Sequence, residues 1–344
     1  MLPMLYTRVA ENHSPQSHGD TEKTFFFLFS GLFIFHWFSL CLRDSVVKTF
    51  WDLPCGGCKP DNRPVAKTPW QQRIHRAEKL AAHHPFAAEI LAFYIHLARF
   101  QEDLYHRLAH VKSSATESRS AGVPPAVESA SRRLSGQLEP AATKTLLTSF
   151  PEFLSLVEKK APQPLAHVAR DLHASDPASW PDLFTQCFTH IDSPTDPQEF
   201  LLLAFLQPYA EFARSQANQP VEGSTSFHCP FCHRKPALAI LRPQGDGGRR
   251  SLLCGFCLSE WDFRRLVCPG CGEENHAKLP VYTADNLPAI RVECCDTCQT
   301  YIKCIDLTKS GLAEPLVDEL ASVPLDLWAQ EHGYAKLQPN LLGM

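Results

Sequence analysis

The chain has no methionine between Met4 and Met344, so no internal start at a methionine codon is open to it. It has no surplus of positive charge either. Its 33 Lys and Arg stand against 37 Asp and Glu, a formal net charge of -4, which argues against a nucleic-acid-binding protein, whose footprint is normally basic. Also missing are the constellations of an enzyme: no nucleophile with a base beside it, no paired-carboxylate site and no phosphate loop. Gly245, Gly247 and Gly248 lack the strand and helix context that a phosphate loop requires. A scattered disulfide framework is absent too, because most of the 14 cysteines fall in Cys-x-x-Cys pairs, the usage of a reducing compartment with metal.

Long apolar runs are almost absent. One stretch, residues 25–42, just reaches the length of a membrane span. Read as an anchor, it leaves the remainder in the cytoplasm, since Arg43, Lys48, Lys59 and Arg63 follow it while only Arg8 and Lys23 precede it. A secretory signal fits poorly, because Glu11, Asp20 and Glu22 precede the run and no small-residue cleavage site follows. The third reading is a start assigned too far upstream, with Val46 or Val47 as the true beginning. Cys55-Gly-Gly-Cys58 lies in the same region without a partner pair and is read as incidental.

What the chain does have is concentrated between Phe227 and Cys304. Four Cys-x-x-Cys pairs occur there: Cys229 and Cys232, Cys254 and Cys257, Cys268 and Cys271, Cys295 and Cys298. Two intervening residues let a tight turn aim both sulfurs at one point, so each pair is half of a tetrahedral four-thiolate site. The spacers are 21 residues between the first two pairs and 23 between the last two, the spacing of a zinc ribbon or rubredoxin module. Each spacer reads as a hairpin: Ala237–Leu241 returning as Arg250–Leu253, then Ala277–Tyr282 returning as Ala289–Val292. Sequential pairing into two sites is expected, and interleaved pairing is the alternative. Only ten residues separate Cys257 from Cys268, enough for one strand through Trp261 and Phe263.

Before this region the pattern is helical. Thr68-Pro69 makes an N-cap and first position for a helix ending near His83 or His84. Phe86, Ile90, Phe93, Leu97, Phe100, Leu104 and Leu108 then line one face of a long helix, as core. Further helices are expected over 145–158, 165–173, 180–190 and 197–215. Cys187 among Leu183, Phe184 and Phe188 reads as an inert buried thiol. His83, His84, His96, His106 and His110 read as surface polar residues. Residues 113–140, rich in Ser, Ala, Pro and Gly, read as a flexible insertion. After Cys304 a last helix is expected over 314–331, with Leu316, Leu320, Val323 and Leu327 on one face and a kink at Pro324.

The motif series resembles the FdhE family of formate dehydrogenase accessory proteins. It consists of Cys229-Pro-Phe-Cys232, Leu252-Leu-Cys-Gly-Phe-Cys-Leu-Ser-Glu-Trp261, Arg264, Cys268-Pro-Gly-Cys-Gly272, Glu293, Cys295-Asp-Thr-Cys-Gln-Thr-Tyr-Ile-Lys303, Val317-Asp-Glu-Leu-Ala-Ser322, Leu325-Asp326 and Gly333-Tyr334. The resemblance starts near residue 68 and is dense over 229–335. It implies a cytoplasmic, non-catalytic maturation factor that binds the catalytic subunit of a respiratory formate dehydrogenase. It also implies two rubredoxin-like modules holding two iron ions through Cys229, Cys232, Cys254, Cys257, Cys268, Cys271, Cys295 and Cys298. The thiolates themselves accept zinc as well as iron. Cys294 departs from the family pattern, which has a small hydroxyl residue there, and this opens a Cys294–Cys298 register for the last knuckle.

The expected architecture is multidomain α+β. An extension (1–67) precedes an all-helical bundle (68–215), a linker (216–226), a first metal ribbon (227–266), a second (267–304), and a C-terminal helix and tail (305–344). Trp261 and Arg264 are the candidate partner-binding residues. Self-association is left open, nucleic acid is not expected as a partner, and membrane contact follows only if residues 25–42 are an anchor. Rubredoxin-like electron transfer is the alternative function. A zinc-ribbon nucleic-acid binder is the second alternative, resting on the pairs Arg249-Arg250 and Arg264-Arg265.

Overall fold

The helical part begins where Thr68 turns the chain. Its hydroxyl accepts the Gln71 amide at 3.1 Å and the Gln71 side chain accepts the Thr68 amide at 3.2 Å, a reciprocal cap with Pro69 in the first turn. The computed structural model describes residues 6–8, 68–117, 138–191, 194, 196–217, 226–245, 247–340 and 342–343. Beyond the short strand β1 (Tyr6–Arg8), six helices follow: α1 (Pro69–His83), α2 (Ala88–Glu117), α3 (Pro140–Lys160), α4 (Gln163–Ala174), α5 (Trp180–Thr189) and α6 (Pro197–Ser215). The expected apolar stripe of α2 is buried from Phe93 through Leu108. Its supposed first member, Phe86, is 47% exposed, because Pro85 opens a 3-10 turn that separates α1 from α2. At its other end α2 continues to Glu117, past the expected start of the insertion at 113.

α6 organises the bundle. A helix apolar on every face belongs inside, and from Phe200 to Ala210 each residue of α6 is buried. Phe205 meets Phe150, Phe153, Phe184 and Phe100 at ring-centroid distances of 4.8, 5.2, 5.4 and 6.3 Å, which fixes α2, α3 and α5 around it.

The fold class is α+β, with the four-cysteine modules carried on a mixed sheet after the bundle. β2 (Leu238–Gln244), β3 (Gly247–Leu253) and β4 (Glu260–Asp262) come from the first ribbon, and β5 (Val281–Ala284), β6 (Ile290–Cys295) and β7 (Thr300–Asp306) from the second. The strand order is β1-β5-β6-β7-β2-β3-β4, with β8 (Ala335–Lys336) also beside β7. The two ribbons therefore share one sheet, through parallel pairing of β2 with β7 from Leu238 opposite Lys303 to Leu241 opposite Asp306. An isolated two-stranded hairpin is marginal in water, and joining the two inner edges satisfies both sets of backbone groups. Arg250 of β3 reinforces the joint. It is 3% exposed, donates to Glu293 of β6 at 2.7 and 3.0 Å, and also donates to the Arg264 carbonyl at 2.9 Å.

The C-terminal helix expected over 314–331 is two helices, α7 (Pro315–Ala321) and α8 (Val323–Glu331), broken at Ser322. Pro324 falls in the first turn of α8, where no amide is needed, so it starts a helix rather than kinking one. The break also re-phases the apolar face. Leu327 is 55% exposed, while Leu325, Trp328 and Ala329 are buried.

A buried ion network fastens both helices to β7. Lys303, fully buried, donates to Asp326 at 2.6 Å, the Glu319 carbonyl at 2.7 Å and Ser322 at 3.0 Å. Lys336 bonds Glu319 and lies 3.2 Å from Asp326, while Tyr301 donates to Asp326 at 2.7 Å. Among the described residues no helix is long and apolar enough to cross a membrane. The apolar run at 25–42 and the pair Cys55 and Cys58 lie outside the described residues.

Candidate metal centres

Each Cys-x-x-Cys pair is built as the same backbone knuckle. The residue after the second cysteine adopts positive φ: His233 at 62°, Leu258 at 57°, Gly272 at 80° and Gln299 at 55°. That left-handed step turns the chain back on itself. In three knuckles its amide reaches the carbonyl of the first cysteine, as in His233 to Cys229 at 2.9 Å, Gly272 to Cys268 at 3.0 Å and Gln299 to Cys295 at 2.9 Å. The first cysteine's amide then bonds five residues onward, from Cys229 to Arg234 at 2.8 Å, Cys254 to Ser259 at 3.0 Å and Cys268 to Glu273 at 2.9 Å. Amides inside the loop point at sulfur, with Cys232 N to Cys229 at 3.5 Å, Phe256 N to Cys254 at 3.4 Å and Gly270 N to Cys268 at 3.3 Å. The knuckles thus present two sulfurs and stabilise negative charge on them before any ion arrives.

The sheet brings the knuckles together in sequence order. Cys229, Cys232, Cys254 and Cys257 form one cluster, and Cys268, Cys271, Cys295 and Cys298 a second, with the four sulfurs of each within 4.8 Å of one another. The Cys229–Cys257 and Cys232–Cys254 separations are 3.4 Å in the first cluster. In the second, Cys268–Cys298 is 3.7 Å and Cys271–Cys295 is 3.6 Å. A disulfide would need about 2.05 Å. Four sulfurs about 2.3 Å from a central ion lie about 3.8 Å apart along the edges of a tetrahedron, so both clusters fit such an ion, the second with little adjustment. Each cluster can hold a metal ion, and the interleaved grouping does not occur.

Charge makes the same point. Hydrogen bonds from Cys232, Cys254 and Cys257 hold the Cys229 thiol far below its ordinary range, while contact with Cys229 drives Cys232 and Cys254 well above theirs. Without a cation the cluster favours a thiolate at Cys229 beside protonated Cys232 and Cys254, and a full set of thiolates needs a positive ion at the centre. Hydroxyls add a second layer that the sequence reading missed. Ser259 lies 3.2 Å from Cys257 Sγ and Thr300 lies 3.0 Å from Cys298 Sγ, each two residues after the last ligand of its site. A hydroxyl at that same offset in both modules was the available signal.

The other candidate residues fall elsewhere. Cys294 is 3% exposed and belongs to the apolar core with Val292 and Tyr301, where burial raises its thiol, so the Cys294–Cys298 register is not adopted. Trp261, expected to offer a surface for a partner, is 2% exposed. It packs into the core with its Nε1 donating to the Ser226 carbonyl at 2.8 Å, on the strand β4 that pairs antiparallel with β3. Arg264 does lie on the surface, in an ion pair with Glu274.

Comparison with known proteins gives the region an identity. A sequence model of the FdhE central domain matches residues 228–265, and one of the FdhE C-terminal domain matches residues 266–342. Over residues 228–342 the chain is similar to the FdhE family. The chain is 36% identical over 149 residues to an FdhE homolog of Aquifex aeolicus, a match covering 43% of this chain and 53% of that protein. It is 28% identical over 285 residues to an FdhE homolog of Haemophilus influenzae strain PittGG, covering 78% and 86%. With FdhE of Escherichia coli strain K12 / DH10B it shares 30% identity over 190 residues, covering 54% and 56%. The matched segment thus spans only about half the length of the Aquifex and Escherichia coli relatives. The fold is that of the crystal structure of the FdhE protein from Pseudomonas aeruginosa, with a TM-score of 0.57 at 23% identity over 80% of this chain and 96% of that one. Both four-cysteine clusters lie within the FdhE-matched residues.

Proposed function

We propose that the chain is a non-catalytic, cytoplasmic accessory protein that holds two metal ions through its eight clustered cysteines. In this reading it assists assembly of a respiratory formate dehydrogenase by binding the catalytic subunit. The observation that carries the reading is the placement of two closed four-sulfur clusters inside FdhE-type domains, since a four-thiolate site has no open position at which a substrate could be activated. Family resemblance favours iron over zinc. In a cleft of about 480 Å³ between α5, α6 and Arg234, burial pushes the Cys187 thiol up to about 12, and Asp196 caps α6 by accepting the Gln198 amide at 2.8 Å. The cysteine usage supports a reducing compartment such as the cytoplasm.

Nucleic acid is a poor candidate partner. Arg242, Arg249, Arg250, Arg264 and Arg291 are each ion-paired with a carboxylate of the same sheet region, which leaves little basic surface for phosphates. Rubredoxin-like electron transfer is the competing reading, favoured by the exposure of Cys271. Deleting the gene decides between them. Loss of formate-dependent respiration, restored by the wild-type chain and less well by Arg264→Glu, is the expected result. Full formate dehydrogenase activity in the deletion strain rules the maturation role out and leaves electron transfer.

A further inference from the structure

The two clusters are built alike but surrounded differently, and the difference begins at one position of the motif. The residue before the second cysteine is phenylalanine in both knuckles of the first cluster, Phe231 and Phe256, but Gly270 and Thr297 in the second. Phe231 and Phe256 are 8% and 3% exposed. Phe256 lies against Phe188 of α5 at 5.7 Å and beneath the Arg234 guanidinium at 5.0 Å. α6 closes the same side, with Gln207 donating to the Gly255 carbonyl at 2.8 Å and Arg214 to Ser259 Oγ at 3.0 Å, the hydroxyl that touches Cys257. All four cysteines of the first cluster are buried, none more than 7% exposed, with α5 and α6 packed over them.

Among the described residues the second cluster has no such lid. Cys268 and Cys295 are buried, Cys298 is half-buried, and Cys271 is exposed. The nearest side chains over Gly270 are Thr300 and Leu337, 3.1 and 3.2 Å from where a Cβ would stand, and this cover stops short of Cys271.

We propose that the second cluster is an exchange site for a soft divalent cation, passing it to and from thiol-bearing molecules in solution, while the first is a permanent staple of the fold. The inference rests on both clusters holding metal, as proposed above. Cys271 is the ligand that leaves: the sulfur of an incoming thiol takes its place as the bond from Cys271 Sγ breaks, and the incoming thiol's proton passes to Cys271. No electron changes hands, and Cys268, Cys295 and Cys298 keep their grip during the step. The first cluster cannot react this way, because its sulfurs become accessible only through a local opening of the fold.

The test uses the full chain loaded with zinc as the probe metal. A chain that binds no zinc removes both the metal reading and this proposal, so the bound stoichiometry is measured first. With two ions bound, an excess of a chromogenic chelator should release them in two phases of equal amplitude, the slow one at least about a hundredfold slower than the fast. Iodoacetamide added during the fast phase should label Cys271 and Cys298 and spare Cys229, Cys232, Cys254 and Cys257, as mass spectrometry of the peptides reads directly. Cys271→Ser should speed or abolish the fast phase and leave the slow one unchanged. Two ions leaving in a single phase, or early label on the first cluster, overturns the proposal while leaving the metal reading intact.

Discussion

Lys303→Met is the sharpest probe of how the metal sheet is held to its C-terminal helices. The substitution keeps the methylene packing of a fully buried side chain and removes an ammonium that contacts Asp326 at 2.6 Å, the Glu319 carboxylate at 2.9 Å and Ser322 at 3.0 Å. Glu319 and Asp326, 2% and 5% exposed as side chains, would then share Lys336 alone. Breaking a buried ion group by deleting one member costs about 3–5 kcal/mol, whereas an exposed pair is worth no more than about 1 kcal/mol. Urea unfolding of metal-loaded protein measures it, followed by tryptophan fluorescence, to which Trp328, 4.6 Å from Tyr282 on β5, contributes. The pH dependence supplies a second reading. Burial alone would raise the Glu319 carboxyl, but Lys303 and Lys336 overcome that and hold it down to about 2, against an ordinary 4.5. A carboxylate depressed in the fold stabilises above its unfolded value and loses that contribution as the pH falls through its folded one. In the wild type this loss runs from 4.5 towards about 2; in the variant Glu319 is held down less, so less stability is there to lose. The wild-type advantage should therefore narrow as acid protonates Glu319. A deficit below about 1 kcal/mol at neutral pH, or one that does not change down to a pH of about 3, would refute the reasoning.

Two further outcomes are expected. Cys229→Ser combined with Cys232→Ser should halve the metal bound by the purified chain, measured by elemental emission, and weaken folding of the ribbon, because sites of this kind contribute binding energy directly to folding; unchanged metal content would sink the ligand assignment. Gln299→Gly should stabilise the metal-loaded protein by about 0.5–1 kcal/mol in thermal unfolding, since this exposed residue is held at a φ of 55° that glycine adopts freely, less whatever its bond to the Asp296 carbonyl at 2.7 Å contributes. A clear destabilisation would show that the side-chain bond outweighs the backbone strain.

Much of the fold was legible because its signals are local. α6 occupies the 197–215 stretch that the sequence marks out, since Asp196 caps it, Pro197 starts it and its apolar residues run unbroken. The knuckles were legible for the same reason, as two residues between cysteines leave the backbone few ways to turn. What the sequence did not disclose depends on contacts between distant segments. The parallel pairing of β2 with β7 joins residues such as Leu238 and Lys303, and nothing in either strand's own alternation names its partner. Ser322 ends α7 because its hydroxyl bonds the Glu319 carbonyl at 2.8 Å while Lys303 draws both inward, so a helical pattern continuous through 314–331 splits in two. Trp261 was open for a related reason: an aromatic beside a metal knuckle reads equally well as a binding anchor or as packing, and its burial shows only in the sheet, where β4 pairs with β3.

The motifs that carried the resemblance outside the cysteines are mostly interior. Glu293 lies against Arg250 and Arg291, while Lys303, Glu319, Ser322 and Asp326 form a single buried network. Burying that many charged groups is tolerable only when every one is matched, so a substitution at any of them strands the others. This accounts for a dense signature without any demand from a partner: the motif specifies how the second ribbon is locked to α7 and α8. The exposed rim around Cys271 and the Arg264–Glu274 pair instead combines accessibility with a rigid support, so a substitution there leaves the fold beneath intact.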